Sequence, residues 1–138
     1  MAKVTYDGFD QLDAQLGKLG SRDAARRIVA AGAEACGHEL EERTNRYRHV
    51  VTGSMMESIA PGRYHEDLDV CWQEVYPQGY DSRGISNATK AFVINYGRGG
   101  KRTAKTGDKF ITGQKQTLEQ IVGAAMKAEA DKILNESR

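Results

Sequence analysis

The segment from Arg22 to Tyr47 most limits what this chain can fold into, because nothing in its 26 residues strongly breaks a helix. Residues three or four apart form one stripe along it, with small residues at the centre: Ala25, Ile28, Val29, Gly32, Cys36, Leu40, Arg43 and Tyr47. This spacing predicts a single helix roughly 40 Å long. The small residues on the stripe predict close contact with a sheet or with another helix.

Two further amphipathic helices are predicted, one on each side of the long helix. A short helix comes first, with an apolar stripe of Phe9, Leu12, Leu16 and Leu19. Gly20 is its expected end, and Ser21 is the expected N-cap of the long helix. A C-terminal helix carries the stripe Leu118, Ile121, Val122, Ala125, Met126 and Ile133. A capping box of Thr117 and Gln120 predicts its start, with Thr112 as the alternative.

Alternating residues before Pro77 predict a half-buried strand. The side chains expected to face inward are Leu68, Val70 and Trp72, opposite Asp67, Asp69, Cys71 and Gln73. A loop follows by composition. The next segment, 87–97, fits two interpretations. One is a strand with alternating Phe92, Ile94 and Tyr96. The other, which we favour, is a short helix capped by Asn87, with Ala88, Phe92, Val93 and Tyr96 on one face.

These elements predict an α+β fold in one domain spanning 1–138, with the long and C-terminal helices packed on a small antiparallel sheet. The net charge is +1, which gives no general argument for a nucleic-acid or membrane-surface protein. No apolar run approaches the roughly 18 residues of a membrane span, and no membrane partner is expected. Cys36 and Cys71 fit no metal or redox spacing, so we expect them to be reduced, mostly buried thiols of a protein made in the cytosol.

The residues with catalytic or metal-binding chemistry form no recognisable site. His38 begins an H-E-x-x-E sequence, in which Glu42 replaces the second histidine of a zinc helix. A solvated histidine on a charged helix is favoured there. His49 and His65 share no motif with a cysteine, so a Cys–His pair would have to be assembled by the fold. Asp67 and Asp69 are expected to be solvated strand residues. We therefore expect that the protein has no catalytic site, metal or cofactor and that it is not an enzyme.

The stretch 97–109 has the strongest local charge, a net +4 from five basic residues and one acid. Its four glycines and lack of large apolar residues predict a flexible loop. The simplest role is a solubilising loop. The alternative is a segment that becomes ordered against an acidic partner or a nucleic-acid backbone. The basic residues concerned are Arg98, Lys101, Arg102, Lys105 and Lys109.

A break in the pattern at 50–64, VVTGSMMESIAPGRY, separates the long helix from the strand. Thr52 and Gly53 are predicted to end the long helix. Ser54 and Glu57 have the spacing of a capping box, which predicts a single helical turn. The chain is then expected to leave that turn in an extended conformation, because the residue before Pro61 avoids the helical region.

The sequence TGSMMESI in this break resembles the T-G-x-L-x-x-S-I signature of the HK97 gp10-like family, the small head–tail connector and tail-completion proteins of tailed bacteriophages and prophages. Thr52, Gly53, Ser58 and Ile59 match it, and Met55 replaces a leucine. Three further stretches follow the family order: VTYDGFDQLDAQLGKL, AFVINYGRGG and DKFITGQKQTLEQI. The chain departs from the family pattern where Asn95 replaces a glutamate and Arg98 a threonine, and where prolines before Phe110 are missing.

The resemblance implies a structural minor tail or neck protein of the virion, made in the bacterial cytoplasm, that assembles as a ring without catalysis. It implies an α+β subunit, and we take a hexamer as the working stoichiometry. Neighbouring phage neck or tail proteins are the expected partners. Gly53 and its neighbours Thr52, Ser54 and Ser58 would then form a fold-determining turn, in which hydroxyl groups satisfy backbone donors while Met55 and Ile59 pack inward. The 97–109 loop would contact an adjacent subunit, a partner ring or DNA in the lumen.

Two other functions remain as alternatives. A small nucleic-acid-binding module would use the same basic loop, although the near-neutral overall charge argues against it. A small hydrolase would need a pocket that joins His38 or His65 to a carboxylate or a thiol.

Overall fold

The computed structural model describes residues 9–47, 49, 53–68, 70–99 and 105–136. Its helices are α1 (Phe9–Leu19), α2 (Arg22–Arg46), α3 (Ser54–Glu57), α4 (Asn87–Tyr96) and α5 (Lys115–Asn135). Its strands are β1 (Ile59–Asp67), β2 (Val70–Pro77), β3 (Gly97–Arg98) and β4 (Lys105–Thr106). Two antiparallel pairs form, β1 with β2 and β3 with β4. The predicted α+β class is confirmed. None of the helices in these ranges has an apolar stretch sufficient to cross a membrane.

The long helix α2 contacts both the β1–β2 hairpin and α5, and small residues allow both approaches. A Cβ built at Gly32 would lie 2.8 Å from Met126 Cγ on α5, and one at Gly37 would lie 3.6 Å from Val75 on β2. Close contact at the small residues is thus confirmed. The C-terminal helix α5 packs on α2 and α1 rather than directly on the sheet as predicted. Arg27 of α2 also donates hydrogen bonds to Glu129 of α5 and to Glu136, the C-cap of that helix.

The predicted start of α2 is confirmed, because Ser21 Oγ accepts a hydrogen bond from the Ala24 amide at 3.1 Å. Its predicted extent to about Tyr47 is confirmed, but the predicted stop at Gly53 is wrong. The helix stops at Arg46, with Tyr47 as the C-cap, several residues before Gly53. Gly53 instead adopts a left-handed backbone with φ of +84° and is the N-cap of α3. Thr52 lies outside the described residues.

The predicted single turn exists as α3, but its capping box does not form. Gly53, not Ser54, is the N-cap, and it makes no side-chain capping bond. Ser58 Oγ donates to the Met55 carbonyl at 2.8 Å, so this hydroxyl satisfies a backbone acceptor rather than a donor. Met55 and Ile59 are buried, as predicted.

The β1–β2 hairpin has the predicted strand but the opposite orientation. His65 pairs with Trp72 and Tyr64 with Gln73. Val70 and Trp72, predicted to face inward, are 61% and 41% exposed, and Leu68 is exposed in the turn. The half-buried positions are Cys71, Gln73 and Val75, of which Val75 lies against Gly37 of α2. Alternation specifies two faces of a strand, but which face is buried depends on the surface that packs against it.

Residues 87–96 form the helix α4, as favoured, although its cap and buried face differ from prediction. Ser86 is the N-cap and accepts a hydrogen bond from the Thr89 amide. Asn87, Ala91 and Asn95 are buried. The residues predicted to form one apolar face do share a face, but it points to solvent. Asn87 and Asn95 take inward positions, where each side chain forms hydrogen bonds with backbone groups of a neighbouring loop.

The start of α5 is set by a buried guanidinium rather than by a capping box. Arg43 of α2 is 1% exposed and pairs with Glu39 at 3.0 Å. It also donates to backbone carbonyls of Phe110, Ile111, Gly113 and Gln114 at 2.7 to 3.4 Å. These bonds fix the turn that leads into α5, whose N-cap is Gln114. Thr117 lies inside the helix, so the predicted capping box is wrong, whereas the alternative start near Thr112 lies two residues from the N-cap.

We expect Arg43→Met to lower the free energy of unfolding by about 3 kcal/mol or more, because it removes the closest ion-pair partner of the buried Glu39 and the donor to four carbonyls. The matched control is Arg46→Met on the same helix, whose guanidinium is half exposed and 3.9 Å from Glu39. The control should change stability by about 0.5 kcal/mol or less. Urea denaturation of both variants checks this, and equal losses would show that Arg43 is not the anchor.

Candidate assembly surface

The basic segment 97–109 is not a loop throughout, because its ends pair as an antiparallel ribbon. Gly97 pairs with Thr106 and Arg98 with Lys105. We call residues 97–109 the basic ribbon. Its described cationic side chains, Arg98, Lys105 and Lys109, are exposed. The predicted site residues Lys101 and Arg102 lie outside the described ranges. The prediction of a flexible loop is therefore wrong for the paired ends.

The root of the basic ribbon, where residues 107–109 join the rest of the fold, is fixed by Asn95, the last buried residue of α4. Asn95 Oδ1 accepts hydrogen bonds from the amides of Ile111 at 2.9 Å and Thr112 at 3.1 Å. Its backbone carbonyl accepts one from the Lys109 amide at 3.0 Å. Gly107 lies so close that an added Cβ would be 2.2 Å from the Asn95 carbonyl oxygen. The ribbon therefore leaves the fold in a defined direction.

A shallow groove of about 380 Å³ lies beside the ribbon root. Its wall includes His49, whose Nε2 contacts Asp108 Oδ2 in a close pair. The His49 ring also meets the Phe110 ring edge-on, with centroids 4.9 Å apart. His49 thus joins the end of α2 to the ribbon root. Sequence gave no signal for this contact, because the two partners are 59 residues apart.

The other histidines with candidate chemistry lie apart from one another. His38 Nε2 is 3.5 Å from Glu42, and both side chains are largely exposed. His65 stacks on Trp72 across the hairpin, with ring centroids 5.2 Å apart.

The cysteines are free thiols, both half-buried rather than mostly buried. Burial raises the pKa of the Cys36 thiol, which disfavours the nucleophilic thiolate. Asp67 is exposed at the end of β1, and Asp69 lies outside the described residues. Within the described ranges, no three His, Cys, Asp or Glu residues are grouped to hold a metal ion.

The loop between β2 and α4 is ordered by Asp81. Its carboxylate accepts hydrogen bonds from the amides of Arg83 and Ile85, both at 2.9 Å. Lys90 contacts the same carboxylate at 2.5 Å, and this bond holds the pKa of Asp81 well below its usual range. The loop exposes Tyr80 beside an open groove of about 540 Å³ that Ser54 and Ser58 also line. Two of the predicted turn residues, Ser54 and Ser58, therefore border this groove.

The described surface carries more large apolar side chains than the core. Five are buried: Leu40, Met55, Ile59, Phe110 and Ile133. Eleven are exposed: Leu16, Tyr47, Leu68, Val70, Trp72, Tyr76, Tyr80, Ile85, Phe92, Val93 and Tyr96. Single exposed apolar residues are common, but contiguous groups mark interaction sites. Two such groups occur here, one on β2 and one on α4.

We expect Gly107→Ala to lower the free energy of unfolding by roughly 1–3 kcal/mol, because its Cβ would collide with backbone that cannot move freely. Gly99→Ala is the matched control in the same ribbon, since an added Cβ there meets nothing within 4 Å. Thermal unfolding, with amide hydrogen exchange at Lys109 and Thr112, measures both effects. Equal behaviour of the two variants would contradict a fixed ribbon root.

Comparison with protein-family models, with curated proteins and with solved structures finds no match for the chain. The two outward apolar groups and the basic ribbon therefore carry the functional argument.

Proposed function

We propose that this chain is a structural virion protein of a tailed bacteriophage or prophage. It acts as a ring-forming subunit that joins head to tail or completes the tail. The observation that carries the proposal is the outward orientation of its apolar residues. Both β2 and α4 turn their larger apolar side chains to solvent, which suits a subunit whose surface is covered by neighbours.

The resemblance at TGSMMESI supports the same function. Met55 and Ile59, two apolar positions of that stretch, are buried, and Met55 packs in a cluster with Ala91 and Phe110. Ser58 bonds within its own turn. These side chains therefore contribute to packing at the junction of α3 and β1. This is the role that the resemblance implies for the stretch, a fold determinant rather than a reactive site.

The basic ribbon is the proposed contact with an adjacent subunit, a partner ring or DNA in the lumen. Its root is fixed by Asn95, while Lys105 and Lys109 extend into solvent. Because this root is already ordered, less conformational entropy is lost when the ribbon binds a partner. Its positive charge favours acidic protein surfaces and phosphate backbones alike.

Shortening the ribbon should abolish particle assembly and leave the subunit folded. Because Arg98 pairs directly with Lys105, residues 99–104 can be replaced by Asn-Gly, a two-residue turn suited to hairpins. The length-matched control changes Lys101 and Arg102 to Gln and keeps the chain length. Circular dichroism tests folding. Complementation of a phage or prophage that lacks the intact gene, scored by infectious particles, tests assembly. Normal particle yields with the shortened ribbon would show that it is only a spacer.

A second candidate function is non-specific binding to nucleic acid, favoured by the exposed cations of the ribbon. Phosphate contacts make such binding salt-dependent without selecting a sequence. The small net charge limits the strength of this attraction outside the ribbon.

If the isolated chain binds duplex DNA through the ribbon, Lys105→Gln should weaken binding and reduce the salt slope by about one. Lys127→Gln is the matched control, because Lys127 is an exposed cation on α5, away from the ribbon. Fluorescence anisotropy with duplex DNA across a salt series gives both quantities. Equal slopes for the two variants would exclude the ribbon as the DNA contact.

A further inference from the structure

The strand β2 presents its more apolar face to solvent. Outward positions hold Val70, Trp72 and Tyr76, together with one acid, Glu74. The inward positions include Gln73, whose amide donates to the Gly62 carbonyl at 2.7 Å. An antiparallel sheet with one solvated face normally carries polar side chains on that face. We call this surface the outer hairpin face. Its apolar composition is typical of a protein surface that packs against another element or molecule.

The helix α4 shows the same inversion. Its buried positions hold Asn87, Ala91 and Asn95. Its outward side holds Phe92, 61% exposed, and Tyr96, 57% exposed, with ring centroids 4.8 Å apart. We call this surface, with Ala88 and Val93, the α4 face. A helix is expected to bury its apolar stripe against another element, and here the described residues provide none.

Charge distinguishes the two surfaces. The outer hairpin face carries two exposed acids, Glu74 and Asp67, the latter paired across the hairpin with Val70. The described part of the basic ribbon, which directly follows α4, exposes the cations Lys105 and Lys109. Opposite charges favour contact between the two surfaces, whereas contact of either surface with itself would bring like charges together.

We infer that the α4 face of one copy packs against the outer hairpin face of a second copy, with the basic ribbon directed toward the acidic hairpin. This inference rests on the proposed function, since it identifies the contact between ring subunits. Two different patches meet, so a pair of copies keeps one free patch of each kind. Such a heterologous contact repeats from copy to copy and closes a ring when the rotation allows.

The dimensions and residue types suit this contact. The 10 residues of α4 span about 15 Å, and the 8 residues of β2 span about 26 Å, so the helix fits along the strand. Phe92 and Tyr96 would meet Trp72 and Tyr76, and aromatic residues supply much of the binding energy at protein interfaces. Lys105 and Lys109 would lie at the rim and make the association sensitive to salt.

Two complementary variants test the contact. Val70→Glu places a charge on the outer hairpin face, and Phe92→Glu places one on the α4 face. Both residues are 61% exposed, so each variant should keep its fold. Leu16→Glu on α1 is the matched control, an exposed apolar residue outside both faces. Circular dichroism and thermal unfolding verify folding, and sedimentation velocity across a concentration series measures association.

The intact chain and Leu16→Glu should associate, and each of the other two variants alone should associate at least about tenfold more weakly. Their mixture should form one-to-one dimers and nothing larger, because one variant keeps its α4 face and the other its outer hairpin face. An intact chain that remains monomeric, a variant that associates normally alone, or a mixture without dimers would each overturn the inference.

Particle complementation separates this inference from the proposed function. If the mixture forms no dimer but particles still require the chain, the inferred contact is wrong and the virion role stands. If the dimer forms but infectious particles do not need the chain, the contact is right and the virion role is wrong.

Discussion

The buried guanidinium of Arg43 is the interaction on which the rest of the structure depends. Removing a charge from water costs several kcal/mol unless partners replace the lost hydration. Here Glu39 supplies the opposite charge, and carbonyls of residues 110–114 accept the remaining hydrogen bonds. The guanidinium therefore joins α2 to the turn before α5. It fixes where α5 begins and holds Phe110 in the core.

The buried polar residues affect which side chains lie on the surface. Arg43, Thr44, Asn87 and Asn95 are almost fully buried, and each makes hydrogen bonds to backbone groups. These residues occupy inward positions that bulky apolar side chains take in many domains. The larger apolar residues of β2 and α4 lie outside instead. The same arrangement that orders the loops therefore produces the surfaces available for assembly.

Sequence reasoning placed the helices well but misjudged which side of β2 is buried. It predicted that Trp72 faces inward, and it placed Phe92 on an apolar helix face without saying what covers that face. In the single chain both face solvent. The inferred contact between copies would bury both residues, so the apolar pattern would describe the assembled surface rather than the interior of one subunit. A pattern records that a face is to be covered, but it does not record which molecule covers it.

The sequence by itself determined the long helix, the Ser21 cap, the strand that ends at Pro77 and the local excess of positive charge. Each depends on spacing or on the chemistry of a few neighbouring residues. Only the tertiary structure decided the burial of Arg43, the pairing of His49 with Asp108 and the fixed root of the basic ribbon. His49 and Asp108 are 59 positions apart in the sequence, and Arg43 and Phe110 are 67 positions apart. Such distant pairs meet because helices pack together, and no local pattern encodes that packing.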